Sequence, residues 1–130
     1  MKVAYILILT ILSPIVHGST DANRYWGIFV FESTCTACVA IANQVNEFSK
    51  RTGMEIIAVS RDGKPLITWN YGWKPDRNGA LWRLGVRPED PTPQVFIMDS
   101  KNKKIHLISF GYSDIDNMVS QYEIIRSGAK

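Results

Sequence analysis

The chain of 130 residues contains two cysteines, Cys35 and Cys38, and they are three positions apart. A disulfide across so short a span closes a very small loop and constrains the unfolded chain little, so this spacing points to thiol chemistry rather than to a structural staple. The flanking sequence fixes the setting of the pair. Residues 26–31 (WGIFVF) form an unbroken apolar run, as in a strand buried on both faces. From 36 to 51, Val39, Ile41, Ala42, Val45 and Phe48 recur at helical spacing, with Asn43, Gln44, Asn46, Glu47 and Lys50 largely opposite and Gly53 placed to end the helix. Cys35 therefore falls at or just before a helix N-terminus, with Cys38 one turn later. Unpaired backbone N–H groups and the positive end of the helix dipole favour a thiolate there. Cys35 is expected to be the exposed, attacking cysteine and Cys38 the inward-facing, resolving one.

Two other uses of the pair remain open on these residues. A structural zinc site takes four ligands, and beyond the N-terminal segment the chain adds only His106 to the two thiols. A redox-inert pair is the second. Neither a metal nor any other cofactor is expected.

The rest of the chain reads as one α/β domain. Residues 55–60 (EIIAVS) form a second buried strand, and strand–helix–strand at this length predicts a parallel pair. Residues 61–68 read as loop and 69–75 as an irregular aromatic stretch. Asp76 is expected to cap a short helix over 77–84, with Leu81, Trp82 and Leu84 inward and Gly85 at its end. A proline-rich approach, 87–93, leads to a third strand at 94–98, and a turn at 99–104 joins it in a hairpin to a fourth at 105–110. Ser113 is expected to cap a last helix whose apolar stripe is Ile115, Met118, Val119 and Tyr122. The result is a compact four-stranded mixed sheet flanked by helices. Trp69, Tyr71, Trp73 and Trp82 either line a surface for unfolded chains or cover a small core.

Ahead of the domain, Met1-Lys2, an apolar stretch over 3–16 and the exit Val16-His17-Gly18 form the pattern of a secretory signal peptide. The apolar stretch is shorter than the roughly 20 residues of a membrane span. The expected division is a signal peptide at 1–18 and a domain at 19–130, with an uncleaved membrane tether as the alternative; either way the domain lies outside the cytoplasm, where a disulfide can persist. The net charge of +3 is scattered apart from a short run at 101–104, so no nucleic-acid surface is expected.

A strand–helix–strand unit with Cys-x-x-Cys at the helix start, then a strand opened by proline, a hairpin and a final helix, resembles the thioredoxin superfamily. The resemblance covers roughly residues 26–122, nearly all of the expected mature chain. It implies that Pro93 follows a cis peptide bond and faces the cysteines, and that the backbone of Thr92 pairs with substrate. A narrower resemblance is carried by Gly27-Ile-Phe-Val-Phe31, Val59-Ser-Arg-Asp62-Gly63, Pro75-Asp-Arg-Asn-Gly79, Arg83-Leu-Gly-Val86 and Phe110-Gly-Tyr112. These are similar to the thioredoxin-like domain of TraF-type pilus-assembly proteins of bacterial conjugation, which work in the periplasm with type IV secretion systems. Four positions depart from common thioredoxins. Thr34 replaces the Trp before the first cysteine, Phe29 stands where many carry a buried acid, and Thr36-Ala37 matches neither the usual reductase nor the usual oxidant dipeptide. Glu32 is either a substitute acid or a solvated strand-end charge.

The expectation is a periplasmic thiol–disulfide oxidoreductase or isomerase acting on protein disulfides. Its partners would be proteins with thiols or disulfides, a redox partner, and conjugation or secretion proteins. The alternative is a non-enzymatic thioredoxin-fold scaffold in conjugative pilus assembly.

Overall fold

The computed structural model describes residues 23–128 apart from residue 78. The expected signal peptide lies outside the described residues. The elements run β1 (Tyr25–Phe31), α1 (Thr36–Thr52), β2 (Ile56–Ser60), β3 (Trp73–Pro75), α2 (Ala80–Arg83), β4 (Gln94–Asp99), β5 (Lys104–Phe110) and α3 (Ile115–Ser127). They build one five-stranded sheet in the order β3-β2-β1-β4-β5.

β1 lies at the centre, which is why its sequence is apolar on both faces. It pairs in parallel with β2 and antiparallel with β4, and β4 and β5 form the expected hairpin. A side chain on Gly27 would require the tip of Ile56 to move aside. A Cβ there would stand 2.5 Å from Cδ1 of Ile56 and 3.4 Å from the carbonyl oxygen of Phe96. Alternate β1 residues feed two cores. Phe29 and Phe31 meet Ile41, Ala42, Val45 and Phe48 of α1, together with Met118 and Tyr122 of α3. Ile28 and Val30 meet Val59, Leu81, Val86 and Phe96 on the other face. Phe48 is fully buried, and its truncation to Ala would cost about 3–5 kcal/mol.

Helix α1 stops where Gly53 adopts a left-handed φ of 73° and its N–H donates to the carbonyl oxygen of Ser49. α1 also fixes α3, because Gln44 Oε1 accepts the N–H of Ile115 at 2.8 Å. The cap of α3 is Asp114, whose carboxylate accepts the N–H of Asn117, and not Ser113. Ser113 instead accepts a bond from the Asn117 side chain at 2.7 Å. The two residues are adjacent and both suited to capping, and the backbone turns into the helix one position later than expected.

Three further expectations need correction. The sheet has five strands rather than four, because Trp73–Pro75 pairs in parallel with Ala58, Val59 and Ser60 of β2. Three residues ending in proline are too few to show a strand period. The helix expected over 77–84 is a single turn, Ala80–Arg83, and its N-cap is Gly79, which makes no side-chain cap bond. Asp76 still contributes, since its Oδ1 accepts the N–H of Leu81 at 3.2 Å. Leu81 packs inward as expected, but Trp82 is 68% exposed. One turn of helix has room to bury one large side chain, and Leu81 takes that place.

Candidate active site

Cys35 is the N-cap of α1, in extended conformation (φ −84°, ψ 111°). Its Sγ accepts the N–H of Cys38 at 3.0 Å, the place a serine or aspartate oxygen takes in ordinary caps. The first turn of α1 carries no acidic residue to oppose a second negative charge. Cys35 and Cys38 are joined as a disulfide, with Cα atoms 5.1 Å apart. Cys35 is partly exposed and Cys38 is fully buried. The strand–helix junction imposes that asymmetry: one sulfur leaves the end of the sheet, and the other starts the inward face of the helix.

The loop before β4 closes over the pair. Sγ of Cys35 lies 3.4 Å from the carbonyl oxygen of Thr92. The Thr92–Pro93 peptide bond is cis, and Pro93 is fully buried. The carbonyl oxygen of Pro93 accepts the N–H of Gly111 at 2.8 Å, which ties it to the end of β5. The fold thus brings Cys35, Cys38, Thr92 and Pro93 together from positions some 57 residues apart in the chain.

Two adjacent residues after β2 hold the loops around the sulfur. The carboxylate of Asp62 accepts both the N–H and the hydroxyl of Ser33, along with the hydroxyl of Ser60 at 2.9 Å. Desolvation raises the pKa of Asp62, but the bonds from Ser33, Ser60 and the backbone outweigh it and leave the carboxyl below its ordinary value. Arg61 donates through Nε to Glu32 Oε2 at 2.8 Å and through Nη1 to the carbonyl oxygens of Asp90 and Arg87 at 2.6 and 3.2 Å. Glu32 is therefore an ion-pair partner, neither a simple solvated charge nor an unengaged acid. At the position of the buried acid, Phe29 packs edge-on to Trp69 with ring centroids 5.2 Å apart. The aromatic group divides. Trp69 is buried and Trp73 half-buried, whereas Tyr71 and Trp82 face solvent. Among the described residues there is no group of three or more His, Cys, Asp and Glu side chains placed to share a metal ion.

A mixed sheet with a central parallel pair, a Cys-x-x-Cys pair at a helix N-terminus and a proline loop packed against it define a protein of the thioredoxin fold. Solved structures bear out the class. The pneumococcal exposed lipoprotein thioredoxin Etrx1 from Streptococcus pneumoniae strain TIGR4 superposes with a TM-score of 0.58 at 18% identity, over 81% of this chain and 87% of that one. A DsbF homologue from Corynebacterium diphtheriae gives 0.57 at 13% identity, over 80% and 71%. The thioredoxin domain of a thiol-disulfide oxidoreductase from Bacteroides vulgatus gives 0.56 at 14% identity, over 80% of each chain. At these identities the likeness is one of fold. The family is narrower: residues 20–122 match the model of the TraF family, described as F plasmid transfer operon protein, and the chain belongs to it. No protein with a curated description matches this sequence.

Proposed function

We propose that this chain is a thiol–disulfide oxidoreductase or isomerase that acts on protein disulfides through Cys35 and Cys38. One observation carries the reading. A partly exposed cysteine sits at a helix N-terminus, its Sγ bonded to the N–H of Cys38 and set against the backbone of Thr92, while Cys38 is fully buried.

In the reducing direction the Cys35 thiolate, favoured by that N–H and by the helix dipole, attacks a substrate disulfide. A mixed disulfide forms and one substrate thiolate leaves. The Cys38 thiolate then attacks Cys35 Sγ, releasing the second substrate thiolate and closing the Cys35–Cys38 bond. Two electrons pass to the substrate. Oxidation of a dithiol runs the same steps in reverse, with a substrate thiolate attacking Cys35 Sγ and Cys38 leaving. Thr92 and Pro93 form the substrate edge, where the Thr92 backbone pairs with an extended segment by strand addition. Metal and organic cofactors have no part in this scheme.

The setting is proposed with the activity. Residues 1–18 act as a signal peptide, residues 19–130 form the exported domain, and the work is done in the periplasm. Membership of the TraF family and the names of the fold relatives, an exposed lipoprotein thioredoxin among them, support that reading. Partners are proteins bearing thiols or disulfides, a redox partner, and components of a conjugation or secretion apparatus.

The test is the reduction potential of the purified protein, with insulin reduction and refolding of reduced ribonuclease. An exchanging pair is expected between about −270 and −120 mV, the span of thiol–disulfide oxidoreductases. A potential below about −300 mV with neither activity marks a structural disulfide and overturns the reading.

A further inference from the structure

Two loops meet at Cys35. One is the turn from β1 into α1, and the other spans 87–93, before β4. Their relative position sets the gap between Cys35 Sγ and the carbonyl oxygen of Thr92. The second loop is pinned carbonyl by carbonyl. Pro91 O accepts the side chain of Gln94 at 3.1 Å, and Pro93 O accepts the N–H of Gly111. Upstream, Arg87 and Asp90 close a turn on each other, with the Arg87 N–H donating to Asp90 Oδ2 and the Asp90 N–H to Arg87 O. The carbonyl oxygens of both those residues are then gripped by one side chain, Arg61.

Arg61 is also joined to the first loop. Its Nε bonds Glu32, and its N–H donates to the carbonyl oxygen of Phe31 at 2.8 Å. The carbonyl oxygen of Glu32 in turn accepts the N–H of Cys35 at 3.1 Å. The Arg61 side chain is 13% exposed, whereas the surface pair Arg51–Asp116 has side chains 52% and 87% exposed. A shielded, forked link of this kind holds geometry that an exposed pair does not.

We propose that Arg61 is a positioning residue for disulfide exchange. It holds the 87–92 turn against the end of β1, so that the Thr92 backbone stays at the right distance from Cys35 to receive an extended peptide. The inference rests on the exchange reading above. The role belongs to the planar fork rather than to the charge. Nε and Nη1 reach acceptors on two separate loops, which a single lysine ammonium cannot do in the same geometry. Glu32 balances the charge, so the thiolate of Cys35 should not depend on it.

The experiment measures single-turnover exchange between the reduced protein and an extended synthetic peptide bearing a disulfide, across peptide concentrations. In parallel, iodoacetamide alkylation of Cys35 is followed across pH. For Arg61→Ala and for Arg61→Lys, the half-saturating peptide concentration should rise about tenfold, as a displaced binding edge costs. The alkylation pH profile should overlay that of the parent protein. Unchanged saturation in both variants overturns the proposal. So does full rescue by lysine, which would make the effect one of charge, or a shifted alkylation profile, which would place it on the thiolate. If Arg61→Ala does not fold, Glu32→Ala decides: loss of one leg should raise the half-saturating concentration by roughly threefold, and the parent value contradicts the proposal. A parent protein that exchanges neither with the peptide nor with glutathione disulfide defeats the functional reading itself. Exchange that the variants leave unaltered defeats only the role of Arg61.

Discussion

The two ends of the β1–β4 pair carry polar clusters of opposite design. At the end where β1 begins and β4 finishes, Arg24 donates through Nε and Nη2 to the two carboxylate oxygens of Asp99 at 2.9 and 3.0 Å. The N–H groups of Lys101 and Asn102 and the Asn102 side chain complete the carboxylate's partners. Asp99 is buried and its bonds come from every side, so this end is closed. At the other end, the Asp62 and Arg61 clusters tie loops to one another but leave Cys35 partly exposed. Closure serves the fold, and incomplete closure leaves Cys35 open to solvent, as the proposed exchange requires. The same kinds of group, carboxylates and guanidinium forks, serve both ends.

Substitutions should separate the two ends. The largest effect is expected from Cys35→Ala, which should abolish exchange with protein disulfides while lowering stability by only about 0.5–2 kcal/mol, chiefly through the lost cap bond to the N–H of Cys38, since a bridge this short constrains the unfolded chain little. Activity assays and calorimetry on one sample check both halves.

At the closed end, Asp99→Ala should lower stability by about 1.5–3 kcal/mol, the range for hydrogen bonds to a charged group, with alkylation of Cys35 unaltered. The dependence on pH follows. The guanidinium of Arg24, followed by backbone N–H groups and working against burial, lowers the Asp99 carboxyl to about 2 from its ordinary 3.8. A carboxyl lowered on folding adds stability above its ordinary value, and that stability disappears as pH falls through the folded one. Denaturation midpoints should decline between roughly pH 4 and pH 2, and more gently in Asp99→Asn. A parallel decline in both would contradict the assignment.

A smaller change is expected from Asp62→Ala, about 1 kcal/mol, because its acceptors are exposed and water replaces part of what is lost. Denaturant titration measures it. The smallest concerns Trp82→Ala. With Trp82 68% exposed, stability should stay within about 0.5 kcal/mol of the parent. A larger loss would return this tryptophan to the core.

Sequence reading succeeded where periodicity or local chemistry carries the information. The apolar run of β1, the stripe of α1 and the cysteines at their junction were all legible, as was the proline opening β4. It failed where structure depends on partners distant in the chain. The edge strand β3 exists because β2 offers it bonds, and its own three residues carry no pattern. Trp82 and Leu81 look equally core-like until a one-turn helix admits only one of them. Arg61 and Asp62 sit in a loop, and their bonds to residues 26 to 29 positions away leave no mark on the sequence around them. From the sequence alone Glu32 reads as a substitute acid or a solvated charge, because nothing nearby announces Arg61 as its partner.

The central claim is that Cys35, at the open end of the sheet, is the sulfur that engages a second protein. The direct measurement is a trapping experiment in which reduced Cys38→Ala protein is mixed with a disulfide-bearing protein and the adduct is mapped by mass spectrometry. The account predicts a stable mixed disulfide at Cys35, because the resolving thiolate is gone, and no adduct on Cys38 in the reciprocal Cys35→Ala protein, where the remaining sulfur is fully buried. An adduct forming faster on Cys38 than on Cys35, or on neither, would contradict it.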